Sequence, residues 1–173
     1  MIFLSAAYTL GIGGDHIKIQ WKIFFIAITI PLAVGALSAL LTRESMMTFE
    51  LLVKPPLSPP AWLFPVVWTI LYTLMGAASC LVFVSEEASM EEIRQALSVY
   101  TLQLFFNFFW SILFFHFEAY LLSFVWLCIL LFLILLTALQ FFRINKAAGY
   151  LLVPYIIWVT FAGYLNLTIY LLN

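Results

Sequence analysis

The chain has 173 residues, 66% hydrophobic and only 9% charged, with a formal net charge of −1 and a mean hydropathy of +1.14. No soluble core absorbs that much apolar surface, so the solvent for most of it must be lipid, and an all-α integral membrane bundle is the expected fold class. A net charge this small, with no basic run, gives nucleic-acid binding no support.

The first twenty residues are not expected to cross a membrane. Ile2 to Ile12 is apolar but too short, and it lacks the positive flank of a signal peptide. Residues 1–20 read as a disordered or interfacial extension, and residues 21–173 as a single transmembrane domain. A first span is predicted over Trp21 to Thr42, with Trp21 as an interfacial anchor. Gly35 and Ala39 on it form a small-xxx-small pair, the best sequence candidate for a homodimer face, although such pairs are common by chance.

Next comes the stretch Lys54 to Trp68, KPPLSPPAWLFPVVW, with Pro55, Pro56, Pro59 and Pro60 within six positions. Proline fixes φ, removes a donor and turns the preceding residue away from helix, so the loop 43–60 is stiff and extended. Together with Lys54 the four prolines are candidates for a lid. Lys54 is placed to reach either a ligand carboxylate or a lipid phosphate. A second span is predicted over Ala61 to Val84, with Pro65 in its first turns, where a missing N–H costs least. Trp68, Tyr72, Met75, Gly76 and Ser79 share one of its faces. Gly76 reads as a packing residue and Trp62 as a boundary anchor.

Ser85 to Glu92 carries four glutamates and reads as a solvated connection. The third span is predicted over Leu97 to Phe117 and the fourth over Ala119 to Phe142. Unbroken, the two would be about twice as long as a ~30 Å bilayer core, so the chain must turn at His116-Phe117-Glu118. Gln103, Asn107, Trp110 and Ser111 share one face of the third span and should point into the bundle. Gln103 reads as interhelical glue, Asn107 and Trp110 as pocket lining. Trp126 reads as an interfacial anchor. Arg143 to Lys146 separates a fifth span over Ala147 to Leu172, where Tyr155, Trp158, Ala162, Leu165 and Asn166 form one stripe. Trp158 is either a belt residue or part of a pocket. Ala162 below it either leaves room for a flat ligand or permits close helix packing.

No span carries Asp, Glu, Lys or Arg near its centre, which argues against a proton-driven transporter. No Ser-His-Asp set, carboxylate pair or metal-ligating cluster appears, so no catalytic residue, metal or obligatory cofactor is assigned. Cys80 and Cys128 lie in apolar runs and read as neither disulfide nor metal ligands, alone or with His16 and His116. Lys18, Lys22, Arg94, Arg143 and Lys146 would share one side and only Arg43 and Lys54 the other, which places the amino terminus in the cytoplasm.

Three blocks, Lys54 to Gly76, QLFFNFFWSILFF from Gln103 to Phe115, and PYIIWVTFAGYLN from Pro154 to Asn166, together resemble the translocator protein family, also called the tryptophan-rich sensory protein or TspO/MBR family. They occur in the family's order, and the resemblance covers about residues 21 to 172. It implies a five-helix bundle in a bacterial cell membrane. It also implies a pocket for porphyrins, haem-like tetrapyrroles and synthetic aromatic ligands, capped by the first loop. Mapped by motif, the pocket residues are Trp68, Tyr72, Asn107, Trp110, Trp158 and Ala162, all of which helical facing also picks out.

The chain departs from the family pattern in places. Thr48 and Phe49 stand where relatives commonly carry Trp-Tyr, which puts loop-dependent photochemistry in doubt. No Lys or Arg follows Tyr164 or Tyr170, so a cholesterol-type motif is not expected. The third helix is crowded with Phe and Trp, so the family's dimer face does not carry over.

The first reading is a porphyrin-binding protein with a sensory or regulatory role; the same residues would serve an enzyme, so the sequence does not separate the two. The alternatives are a light-dependent porphyrin-degrading enzyme, with Trp68 and Trp158 as redox-active indoles, and a tetrapyrrole or sterol transporter.

Overall fold

The alternation of long apolar runs with polar breaks emerges as helices, joined by short connections after the long first loop. The computed structural model describes residues 14–45 and 51–173, and these residues contain no strand. The helices are α1 (Gly14–Thr42), α2 (Leu63–Phe83), α3 (Met90–Ser111), α4 (Tyr120–Ile144), α5 (Lys146–Leu151) and α6 (Val153–Leu172). Five segments are long and apolar enough to cross a bilayer: Trp21–Thr42, Leu63–Phe83, Met90–His116, Tyr120–Ile144 and Lys146–Leu172. The chain is a multi-pass membrane bundle, as its composition implied.

Several boundaries differ from the sequence expectation. Helix α1 starts at Gly14, so the boundary placed at Trp21 falls inside a helix, although the membrane-capable part still begins there. Residues 1–13 of the expected extension lie outside the described residues, as do Thr48 and Phe49. Helix α3 starts at Met90, inside the expected solvated connection. Ser89 caps it, accepting from the Glu92 N–H while the Glu92 carboxylate accepts from the Ser89 N–H. That reciprocal box satisfies two N-terminal donors and starts the helix before the apolar run does. Helix α4 ends at Ile144, and Asn145 caps α5 by accepting from the Ala148 N–H, which starts the fifth span one residue early. That span then breaks at Leu152, because Pro154 has no N–H to continue the ladder.

The turn between the third and fourth spans falls where length demanded it. The helix widens to a π-helical turn over Ile112–His116, and Glu118 then takes a left-handed conformation, φ 52°, exposed at the bend. Pro65 occupies the third position of α2, where its missing N–H would be an orphan in any case.

Helix contacts set the order around the bundle: α1 lies on α2, α2 touches α5, α6 lies on α4, α4 on α3, and α3 returns to α1. The spans run alternately up and down. The Pro-rich loop, the bend at Glu118 and Asn173 therefore share one end, and the connection 84–89 and Asn145 share the other.

The core is apolar, but so is much of the surface, and several polar groups are buried. Phe25, Leu40, Phe105, Phe132 and Ile157 are exposed, while Gln103, Asn107, Ser123, Thr137 and Asn166 are buried. With no water in the hydrocarbon to satisfy them, the buried polar groups must bond one another. Helix α1 is the most peripheral: from Trp21 on, only Pro31, Ser38 and Thr42 are buried.

Gly76 brings α2 against α1, since a Cβ there would lie 2.5 Å from the Ile28 Cα. Gly35 makes the reciprocal allowance, because the ring of Tyr72 occupies the space a side chain would need. Gly35 is thereby taken up within the chain, while Ala39 stays exposed. Gly35 faces Tyr72 within the same chain, and both small residues line an internal cavity.

Candidate functional site

A cavity of about 280 Å³ lies between the last turns of α1, the first half of α2 and the end of α3. Helix α1 contributes its small and hydroxyl residues Gly35, Ser38, Ala39 and Thr42, spaced to fall on one face. Opposite them stand the rings of Phe64, Trp68 and Tyr72 from α2, with Trp110 and Phe115 from α3 and the Phe115 turn. One side is therefore a low shelf and the other an aromatic wall. Trp68 stacks on Tyr72 with ring centres 5.4 Å apart, and lies 6.3 Å from Trp110.

Hydrogen bonds behind the wall hold it rigid. The Tyr72 hydroxyl donates to Asn107 Oδ1 at 2.6 Å, and Asn107 Nδ2 donates to the Tyr155 hydroxyl at 2.6 Å. The Tyr155 hydroxyl in turn donates to Gln103 Oε1 at 3.1 Å. This buried chain links three spans. Trp110 is fixed separately: its indole N–H donates to Asn166 Oδ1 at 3.2 Å, and Asn166 also accepts from Ser123 and donates to the Tyr120 carbonyl. Tyr72 and Trp110 thus line the cavity with their polar ends already bonded elsewhere.

A second hollow, about 20 Å³, adjoins the first across Phe64, Trp110 and Phe115. Ala162, Leu165 and Asn166 line it from α6, and Ser58 of the Pro-rich loop covers it. It has room for little more than one water.

The six sequence-derived pocket residues thus divide into three groups. Trp68, Tyr72 and Trp110 line the larger cavity, and Ala162 lines the small hollow behind Trp110. Asn107 lines neither; its amide is spent on two phenols. Trp158 is half-buried and meets Phe64 edge-on at 5.9 Å. Of the lid residues, Pro55 is buried in the loop, and Ser58 between the proline pairs reaches the small hollow. Lys54 lines neither cavity. Trp126, read as an anchor, also donates its indole N–H to the Phe106 carbonyl at 2.7 Å and stacks on the Phe106 ring.

Sequence reasoning overlooked the α1 shelf, Phe64, Phe115 and Arg43, which stands at the cavity's edge. The shelf was detectable, because positions 35, 38, 39 and 42 follow helical spacing and all carry small or hydroxyl side chains. A larger cleft of about 380 Å³ at the opposite end is lined by Glu87, Glu92, Gln95, Gln140 and Arg143. No ring lines it, so it offers a flat ligand no stacking surface. Among the described residues no group of His, Cys, Asp and Glu could hold a metal ion.

Comparison with known proteins agrees with this architecture. The sequence profile of the TspO/MBR family matches residues 27–172. The tryptophan-rich protein TspO of Chlorobaculum tepidum is 40% identical, over 86% of this chain and 94% of its own length. The tryptophan-rich sensory protein of Cereibacter sphaeroides is 33% identical, over 90% and 94%. The translocator protein of Bos taurus is 32% identical, over 79% and 82%.

Proposed function

The chain belongs to the TspO/MBR family, and on that premise we propose that it binds a flat tetrapyrrole of the porphyrin class between α1, α2 and α3, in a sensory or regulatory role. The observation that carries this reading is the cavity's asymmetry: the rings of Trp68 and Trp110 stand across from the small residues Ser38, Ala39 and Thr42, and Tyr72, packed on Gly35, closes the inner end. Such a slot accepts a thin aromatic plate and disfavours a bulky one. At about 280 Å³ it lies near the lower end of ligand pockets, roughly 300–1,000 Å³, so the macrocycle enters edge-on and extends past the mouth. Helix α1, the least buried wall, is the element that yields to admit it.

The test is a titration of the purified protein with protoporphyrin, followed by tryptophan fluorescence. Trp68 and Trp110 line the cavity, so saturable quenching that is lost in Trp68→Leu supports the site. Quenching that neither saturates nor depends on Trp68 overturns it. The same samples, illuminated and dark, distinguish binding from photochemistry, since consumption of more than one equivalent in light makes the protein an enzyme.

A further inference from the structure

Among the described residues, the cavity between α1, α2 and α3 has one charged residue in its lining, and it stands at the mouth. Arg43 follows the last residue of α1 and lines the cavity between the end of α1 and the start of α2. Its guanidinium lies 3.8 Å from Glu44, the next residue, with both side chains largely exposed at 70% and 90%. That is a loose pair between neighbours in solvent, worth little in holding either group. The two helix ends at the rim oppose each other: the α1 carboxyl end is electronegative and the α2 amino end electropositive. The sign of the mouth is therefore decided by the side chains. Of these, Arg43 lines the cavity and Glu44 does not.

We infer that Arg43 is the specificity residue for an anionic group on the rim of the ligand, and that the cavity selects amphipathic aromatic plates whose carboxylates lie along one edge. The inference deepens the tetrapyrrole reading and rests on it. An apolar edge fills the slot between the α1 shelf and the aromatic wall, and the acidic edge remains at the membrane surface within reach of the guanidinium. A planar guanidinium matches a carboxylate in two parallel hydrogen bonds, a geometry that an ammonium does not supply. Arg43 thereby takes the role that the sequence offered to Lys54. Glu44 acts against it by competing for the same cation.

The experiment compares protoporphyrin with its dimethyl ester on the full chain in detergent, using the parent, Arg43→Gln, Arg43→Lys, Glu44→Gln and Lys54→Gln. The parent is expected to bind the diacid more tightly than the ester. Arg43→Gln should lose roughly threefold to tenfold in diacid affinity, the range of a partly screened charge pair, with the ester unchanged. Arg43→Lys should recover only part of the loss, and Glu44→Gln should tighten the diacid. A diacid preference that survives Arg43→Gln, or that disappears in Lys54→Gln instead, overturns the inference and leaves the tetrapyrrole reading intact.

A second pair of probes, pyrenebutyrate and pyrenebutanol, separates the two claims. If neither porphyrin form binds the parent, the tetrapyrrole reading fails. A pyrenebutyrate preference abolished by Arg43→Gln then still supports the anion site, and equal binding of the two pyrenes removes it. Arg43 is exposed at a helix end, so an unchanged thermal transition in the variant serves as the folding control.

Discussion

Ala162 carries two sequence readings, and the space beside it favours one of them. Its stripe with Trp158 suggested either a groove for a flat ligand or close helix packing. The hollow that it lines together with Trp110 and Phe64 holds about 20 Å³, and we therefore propose that Ala162 packs behind the wall. Ala162→Leu should therefore cost about 1–3 kcal/mol of stability through overpacking, seen as a lower thermal midpoint, with a smaller loss in protoporphyrin affinity. A binding loss larger than the stability loss would put Ala162 back on the ligand surface. Trp158 acts through a neighbour. Its edge-on contact supports Phe64, which lines both hollows. Such a contact is worth roughly 0.5–1.5 kcal/mol beyond its buried area. Trp158→Ala should then loosen Phe64 and weaken protoporphyrin by at most about tenfold, the ceiling that contact sets at 1.4 kcal/mol per decade. Unchanged affinity in a folded variant would remove it from the site. Both residues were visible as a stripe on one helical face. What periodicity could not show is how much empty volume lies in front of each.

At the scale of elements, two devices set the geometry of the cavity. The first is the close contact of α1 and α2. Pro31 has no N–H for the Ala27 carbonyl, and Ala27 and Ile28 are the residues that meet Gly76. A Cβ at position 76 would lie 2.5 Å from the Ile28 Cα and 2.7 Å from the Ala27 carbonyl oxygen, both backbone atoms that cannot rotate away. Gly76→Ala should push the helices apart and lower the thermal midpoint by an amount corresponding to about 1–3 kcal/mol. It should also loosen ligand binding, because the same two helices form the shelf and the wall. An unchanged midpoint would show that α1 is free to shift at no cost. The second device is a latch on the loop. The Asn173 side chain pairs with both backbone groups of Val53, accepting from its N–H at 3.0 Å and donating to its carbonyl at 3.1 Å. It thus ties the end of α6 to the residue before Lys54. Stiffness from the four prolines was legible in the sequence, but this tether was not, since it joins positions 120 apart. Asn173→Ala should speed protoporphyrin dissociation more than it slows association, as expected when a cover is released; stopped-flow rates equal to the parent's would show that the loop does not cover the site.

The molecule as a whole was more legible than its site, for a physical reason. A bilayer demands long apolar helices with satisfied backbones, and that demand is written directly in composition and segment length. The cavity depends instead on which helices touch, and only the contacts between α1, α2 and α3 place the Gly35 shelf opposite Trp68. The bundle's polarity joins the two levels. Lys22, Arg94, Arg143 and Lys146 belong to the end bearing the connection 84–89, and Arg43 and Lys54 to the end bearing the loop and the cavity mouth. Lysine and arginine near span ends orient membrane proteins, and the acidic residues beside them contribute little, so the glutamates of 86–92 do not cancel the bias. The loop end should therefore face away from the cytoplasm. With Cys80 and Cys128 replaced by Ala, a cysteine introduced at Glu118 should react with a membrane-impermeant maleimide on intact cells. One introduced at Glu86 should react only after permeabilisation. In that orientation the mouth beside Arg43 samples ligands from outside the cytoplasm, and a signal must travel along α2 and α3 to the far end. The opposite labelling pattern would turn the cavity toward the cytoplasm and make the protein a monitor of tetrapyrroles inside the cell.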